Sequence, residues 1–170
     1  MSEPEFSRPI ALARLGSEPF RQEIAATEVE RAALARRFDL VAVDRLSAVV
    51  ELVRQAHDRV LLTAAFDAEF IQSCVVTLDP VRGAMSERFA LLYGPPEAAA
   101  EAGGSTEDEP AFEPIVGDMI DIGEAVAQEF ALALPPFPRS AEADAETVVS
   151  PPDEAGPFSA LSRLIDRGRS

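Results

Sequence analysis

From Leu46 onward, apolar side chains recur at every second position, and no other feature of the chain constrains its fold as strongly. Leu46, Ala48, Val50 and Leu52 alternate with Ser47, Val49, Glu51 and Val53. Gln55-Ala56-His57-Asp58 then supplies a turn. Beyond it, Val60, Leu62, Ala64, Phe66, Ala68 and Phe70 share one face, while Thr63, Asp67 and Glu69 share the other. Successive side chains of a strand point to opposite faces, so this period predicts a long antiparallel hairpin with one buried face, reaching to about Thr77. Asp79-Pro80 turns the chain again. Met85 to Tyr93 reads as the next strand, with Phe89, Leu91 and Tyr93 aligned.

Helical signals flank this β region. Phe6 to Leu15 and Phe20 to Ala26 read as short strands separated by the turn-like Gly16-Ser17-Glu18-Pro19. Thr27-Val29-Glu30 has capping-box chemistry: the Thr27 hydroxyl serves the Glu30 amide and the Glu30 carboxylate returns to Thr27. The helix it opens runs to about Arg37, with Val29, Ala33 and Leu34 expected to face a sheet. Arg31, Arg36 and Arg37 fall on or beside its exposed side. Asp121 is the N-cap of a second helix, with Glu124 three residues on, Ile122, Val126, Phe130 and Leu134 on one stripe, and Pro135-Pro136 as its stop. The expected fold is α+β: a curved, mainly antiparallel sheet with a barrel-like tendency, packed by helices near 28–37 and 121–134.

The expected organisation is a single domain over residues 1–138, interrupted by a flexible acidic insertion at about 94–113. That insertion holds Pro95-Pro96, an alanine run, Gly103-Gly104 and Glu107-Asp108-Glu109. A linker follows at 139–156. Residues 157–165 then form a short amphipathic motif with Phe158, Leu161, Leu164 and Ile165 at helical spacing. Such a motif docks on a partner or folds back over a groove of its own domain, and apolar anchors suit either.

Composition narrows the function classes. The unbroken apolar runs are far shorter than a membrane helix, so no membrane partner is expected. Met1-Ser2-Glu3-Pro4-Glu5-Phe6 has neither the basic nor the apolar region of an export signal, and a single cysteine suits a reducing compartment, so the cytoplasm is expected. All 15 basic residues are arginine against 30 carboxylates. The imbalance is local: residues 1–60 hold 9 arginines and 10 carboxylates, whereas residues 61–140 hold 3 and 14. A chain so charged repels polyphosphate as a whole. Direct RNA contact is therefore expected only in the near-neutral first third, through Arg31, Arg36 and Arg37. The acidic middle suits a basic protein.

No catalytic set emerges. His57 is the only histidine and lies in a turn, which leaves no histidine-based metal cluster and no ready Ser/His/Asp arrangement. Gly103-Gly104 precedes no phosphate-loop lysine, and no small-molecule substrate or cofactor is indicated. Cys74 is the only cysteine, and the residues by themselves leave it as half of a metal hook, a reactive thiol or a small apolar residue in a strand.

Three stretches in order carry a resemblance. Gln72-Ser73-Cys74-Val75-Val76-Thr77-Leu78-Asp79-Pro80-Val81, the helix from Ile120 to Pro136, and Pro157-Phe158-Ser159-Ala160-Leu161 together resemble the YceD family of large ribosomal RNA subunit accumulation proteins. Glu28 to Ala35 and the following Arg37-Phe38 resemble its alphaproteobacterial members. Many members carry Cys-x-x-Cys where this chain has Cys74 and Thr77. A threonine cannot replace a thiolate in a tetrahedral zinc site or a redox pair, so no metal is expected here, and the expected role of Cys74 is that of a small strand-end residue, with Cys74→Ala costing no more than a small core truncation. The resemblance implies a role in accumulation or processing of large-subunit (23S) ribosomal RNA, hence in bacterial ribosome biogenesis. It supplies no catalytic residues. The expected role is that of a non-enzymatic factor binding pre-ribosomal RNA, a basic large-subunit ribosomal protein, or both. The alternatives are an rRNA-processing nuclease, which needs a general base and a cation at the phosphate, and an interaction module acting on rRNA indirectly.

Overall fold

The alternating region builds the centre of the molecule. In a computed structural model, which describes residues 4–100 and 110–145, strand β3 (Ala42–Arg54) and strand β4 (Val60–Ser73) pair antiparallel from Arg54↔Val60 to Ala42↔Ile71. His57 and Asp58 turn the hairpin with φ of 61° and 54°. The hairpin starts four residues earlier than the alternation. A register shift between Val43 and Arg45 inserts Asp44, and this bulge breaks the two-residue period just where the sequence pattern begins.

The other elements follow chain order: β1 (Pro9–Ala11), a 3-10 turn (Leu12–Arg14), β2 (Phe20–Ala25) and helix α1 (Glu28–Arg37) precede the hairpin. After it come β5 (Pro80–Gly94), a 3-10 turn (Pro96–Ala100), β6 (Ala111–Pro114), β7 (Met119–Asp121), helix α2 (Ile122–Ala133) and the one-turn helix α3 (Ala141–Ala145). The main sheet has the order β2-β3-β4-β5-β6, antiparallel except for the parallel β5–β6 pair. It is open, with β2 and β6 at its edges. β1 pairs with β7 in a separate two-stranded sheet, rather than with β2. The region expected as an acidic insertion is structured at both ends, because its last residues supply β6.

The core lies on one face of the sheet. Leu46, Val50, Leu52, Val60, Leu62 and Phe66 are at most 2% exposed and pack under α1, α2 and the N-terminal segment. Phe130 of α2 is the hub: its ring meets Phe38, Phe66 and Phe70 edge-on at centroid distances of 6.0, 6.4 and 5.7 Å. Aromatic pairs of this geometry stabilise by about 0.5–1.5 kcal/mol beyond burial. Phe70 also needs Gly83 opposite it on β5, since a Cβ there would stand 2.5 Å from the ring.

Both helix caps form as the sequence predicts. Thr27 Oγ1 accepts from the Glu30 amide (3.3 Å) and Glu30 Oε2 accepts from the Thr27 amide (2.7 Å). Asp121 Oδ1 accepts from the amides of Gly123 and Glu124, and from the Arg8 amide at 2.7 Å. One expectation for α1 fails: Val29 is 78% exposed. Leu34 is buried as expected, and Ala35 and Phe38 join it on the inward side.

Candidate partner-binding surfaces

The arginine face of α1 is largely bound to its own molecule. Arg31 Nη1 donates to the Ala26 carbonyl at 2.9 Å, closing the helix onto the end of β2. Arg37 pairs with Glu124 of α2 through two bonds of 2.7 and 2.8 Å, and with Glu5 at 2.9 Å. Its guanidinium also lies 5.2 Å from the Phe38 ring centroid. Arg36 is exposed. Of the three arginines expected to meet RNA, Arg36 alone has no side-chain hydrogen bond or ion pair among the described residues.

A different surface forms where β5 and β6 pass α2. On the inner side of β5, Met85, Phe89 and Tyr93 are half-buried and Glu87 is exposed, because the helices cover β3 and β4 more fully. Tyr93 lies opposite Glu113 of β6 in the parallel register. Burial holds its phenol well above the ordinary value, and the charges acting on it, Glu113, Asp121, Glu129 and Glu124, are all carboxylates and push the same way. Glu124 is neutralised by Arg37 and Asp121 is occupied as a cap. Glu129 is raised above the ordinary carboxylate value by burial first and by Glu113 second. Ionising Glu129 is therefore costly, and it lies within electrostatic reach of the half-buried Tyr93. Sequence reasoning did not reach this grouping, because the insertion hides the parallel return of β6 to β5.

The Cys74 turn is the third feature. Cys74 is fully buried, and its Sγ accepts from the amides of Val76, Thr77 and Ser140, each at 3.4 Å. Thr77 Oγ1 and Ser140 Oγ share a hydrogen bond at 3.3 Å, and Ser140 caps α3 through the Ala143 amide. Hydrogen bonding from Thr77, first from its side chain and then from its amide, lowers the thiol to about 6; Ser140 and Val76 add to this, while burial opposes it. Residues 139–145, expected as linker, are thereby pinned to the β4–β5 turn. The donor set around Cys74 is one sulfur and two hydroxyls, which does not fit a tetrahedral zinc site. Among the described residues, no three His, Cys, Asp or Glu side chains gather as metal ligands.

His57 sits exposed in the hairpin turn. Phe158, Leu161, Leu164 and Ile165 lie outside the described residues. Among the described residues no helix is long and apolar enough to cross a membrane.

Most of β4, the Cys74 turn and α2 fall within the part of the chain, residues 62–159, that matches the family model for large ribosomal RNA subunit accumulation protein YceD. The chain belongs to the YceD family. The match spans most of β4, then β5, β6, β7, α2 and α3, and extends over Pro157 and Phe158 of the C-terminal motif, whereas β1, β2, α1 and β3 lie before it. No curated protein and no solved structure matches the chain.

Proposed function

We propose that this YceD protein supports accumulation of large-subunit ribosomal RNA as a non-enzymatic factor that binds a basic large-subunit ribosomal protein on the face that carries Tyr93 of β5, Glu113 of β6 and Glu129 of α2. The observation that carries this reading is the set of carboxylates around Tyr93. Burial and the nearby charge of Glu113 raise Glu129 above the ordinary carboxylate value, and an arginine or lysine from a partner relieves the cost of ionising it. Phe89 and Tyr93 add apolar surface and faces for cation–π contact. Direct binding of pre-ribosomal RNA is the second reading, and Arg36 is the observation favouring it. Arg31 and Arg37 already serve the fold.

Binding of an arginine-rich peptide, followed by fluorescence anisotropy at rising salt, tests this face. The Glu113→Gln/Glu129→Gln variant should bind several-fold more weakly, with a shallower salt dependence. It should also melt higher than the parent at neutral pH, because the raised pKa of Glu129 marks an ionised form that destabilises the fold. Unchanged peptide binding in the more stable variant would sink the proposal. Copurification of RNA that is lost in Arg36→Glu would favour the second reading.

A further inference from the structure

Six of the nine exposed large apolar side chains among the described residues collect at the end of the molecule where the chain leaves α3. Val75, Val76 and Leu78 project from the Cys74 turn, Phe137 from the segment after α2, Val41 from the approach to β3 and Leu132 from the end of α2. Hydrogen bonds tie these pieces together. The Val75 amide donates to the Pro138 carbonyl and the Val41 amide to Ile71, each at 2.9 Å, and the Gln72 side chain reaches the Pro135 carbonyl.

Leu78 is the telling residue. It is 77% exposed at a φ of 64°, a left-handed conformation that suits glycine or asparagine and is unfavourable for a bulky side chain. Neither burial nor backbone geometry within the domain accounts for a leucine there.

We propose that this face is the seat of the chain's own residues 157–165. The tail is rooted on it, since Ser140 donates to Cys74 Sγ and α3 ends at Ala145. The eleven positions between Ala145 and Pro157 are enough, at the reach of about 20 Å that a flexible chain of that length has, to return the motif to its root. Phe158, Leu161, Leu164 and Ile165 recur at helical spacing in the sequence, a pattern that suits an apolar patch. Arg163, Arg167 and Arg169 against Asp166 make residues 157–170 net positive within a chain of net charge −15, and Asp79 and Glu142 flank the patch. A tethered occupant acts at about millimolar effective concentration, which outcompetes a second copy at micromolar protein.

The chain has no tryptophan, so Phe158→Trp gives the full-length protein a single reporter. Its emission should be blue-shifted, independent of protein concentration, and moved to the solvent-exposed wavelength by Leu78→Asn, which the left-handed backbone accepts. Should Leu78→Asn alter folding by circular dichroism, Val76→Asp takes its place with the same expectation. Solvent-exposed emission in the parent reporter, or emission unmoved by either patch change, overturns the proposal. A blue shift that appears only as concentration rises also overturns it, by assigning the face to a second copy.

Discussion

Arg37 and Glu124 stand 87 positions apart in the chain and meet in a two-pronged ion pair that joins α1 to α2. Both side chains are mostly shielded, at 30% and 19% exposure. A paired fork of this kind exceeds the usual surface ion pair, which contributes about 0–1 kcal/mol. Arg37→Ala should therefore lower stability by about 1–2 kcal/mol. Arg36→Ala should stay within about 0.5 kcal/mol. Urea unfolding checks both, and equal effects would show that the clamp contributes nothing. It follows that replacing Arg31, Arg36 and Arg37 together confounds RNA contact with folding, whereas Arg36→Glu isolates the contact.

Acid should weaken the molecule through two carboxylates. Bonding to Arg8 holds Glu30 down at about 2, and bonding to Arg37 lowers Glu124. A carboxylate whose folded pKa is depressed stabilises fully above its unfolded value and loses that contribution as pH falls through the folded value. For Glu30 the window runs from about 4.5 down to about 2. Melting temperature should fall across this range, and Glu30→Gln should flatten the fall. A parallel curve in the variant would remove Glu30 from the account.

Cys74 should matter more than a small core residue of its size. Its sulfur serves three amides, and truncation to alanine leaves buried donors without an acceptor, which costs more than lost packing alone. Cys74→Ala should thus be clearly less stable than Cys74→Ser, whose hydroxyl still accepts. The thiol, lowered from its ordinary 9.0 to about 6, contributes stability that grows from pH 6 to 9 and is lost as pH falls through 6. Cys74→Ser should abolish that rise. Equal melting of the alanine and serine variants would refute the acceptor role.

Gly123 should tolerate no side chain. A Cβ there would stand 2.3 Å from the Phe6 carbonyl oxygen and 3.0 Å from the Arg8 nitrogen, both backbone atoms held by the Asp121 cap and the β1–β7 pairing. Gly123→Ala should cost about 1–3 kcal/mol, the range for overpacking. Wild-type stability would mean that the N-terminal segment moves freely over α2.

Local chemistry made much of this protein legible from its residues alone. The two-residue period placed β3 and β4, Thr27 and Glu30 placed the start of α1, and Asp121 placed that of α2, because period and capping depend on neighbours within a few positions. The open sheet edges, the bulge at Asp44 and the exposure of Val29 were not legible, since each depends on what packs across the sheet. Family membership was legible from the ordered stretches around Cys74, α2 and Pro157. The surfaces were decided only in three dimensions. β6 returns to β5 after a long insertion and gathers Glu113 and Glu129 around Tyr93. The fold turns Arg37 inward onto Glu124, and it brings Ser140 to a cysteine 66 positions earlier. Electrostatic cost and hydrogen-bond satisfaction act through space over a few ångströms, so sequence separation carries no record of them.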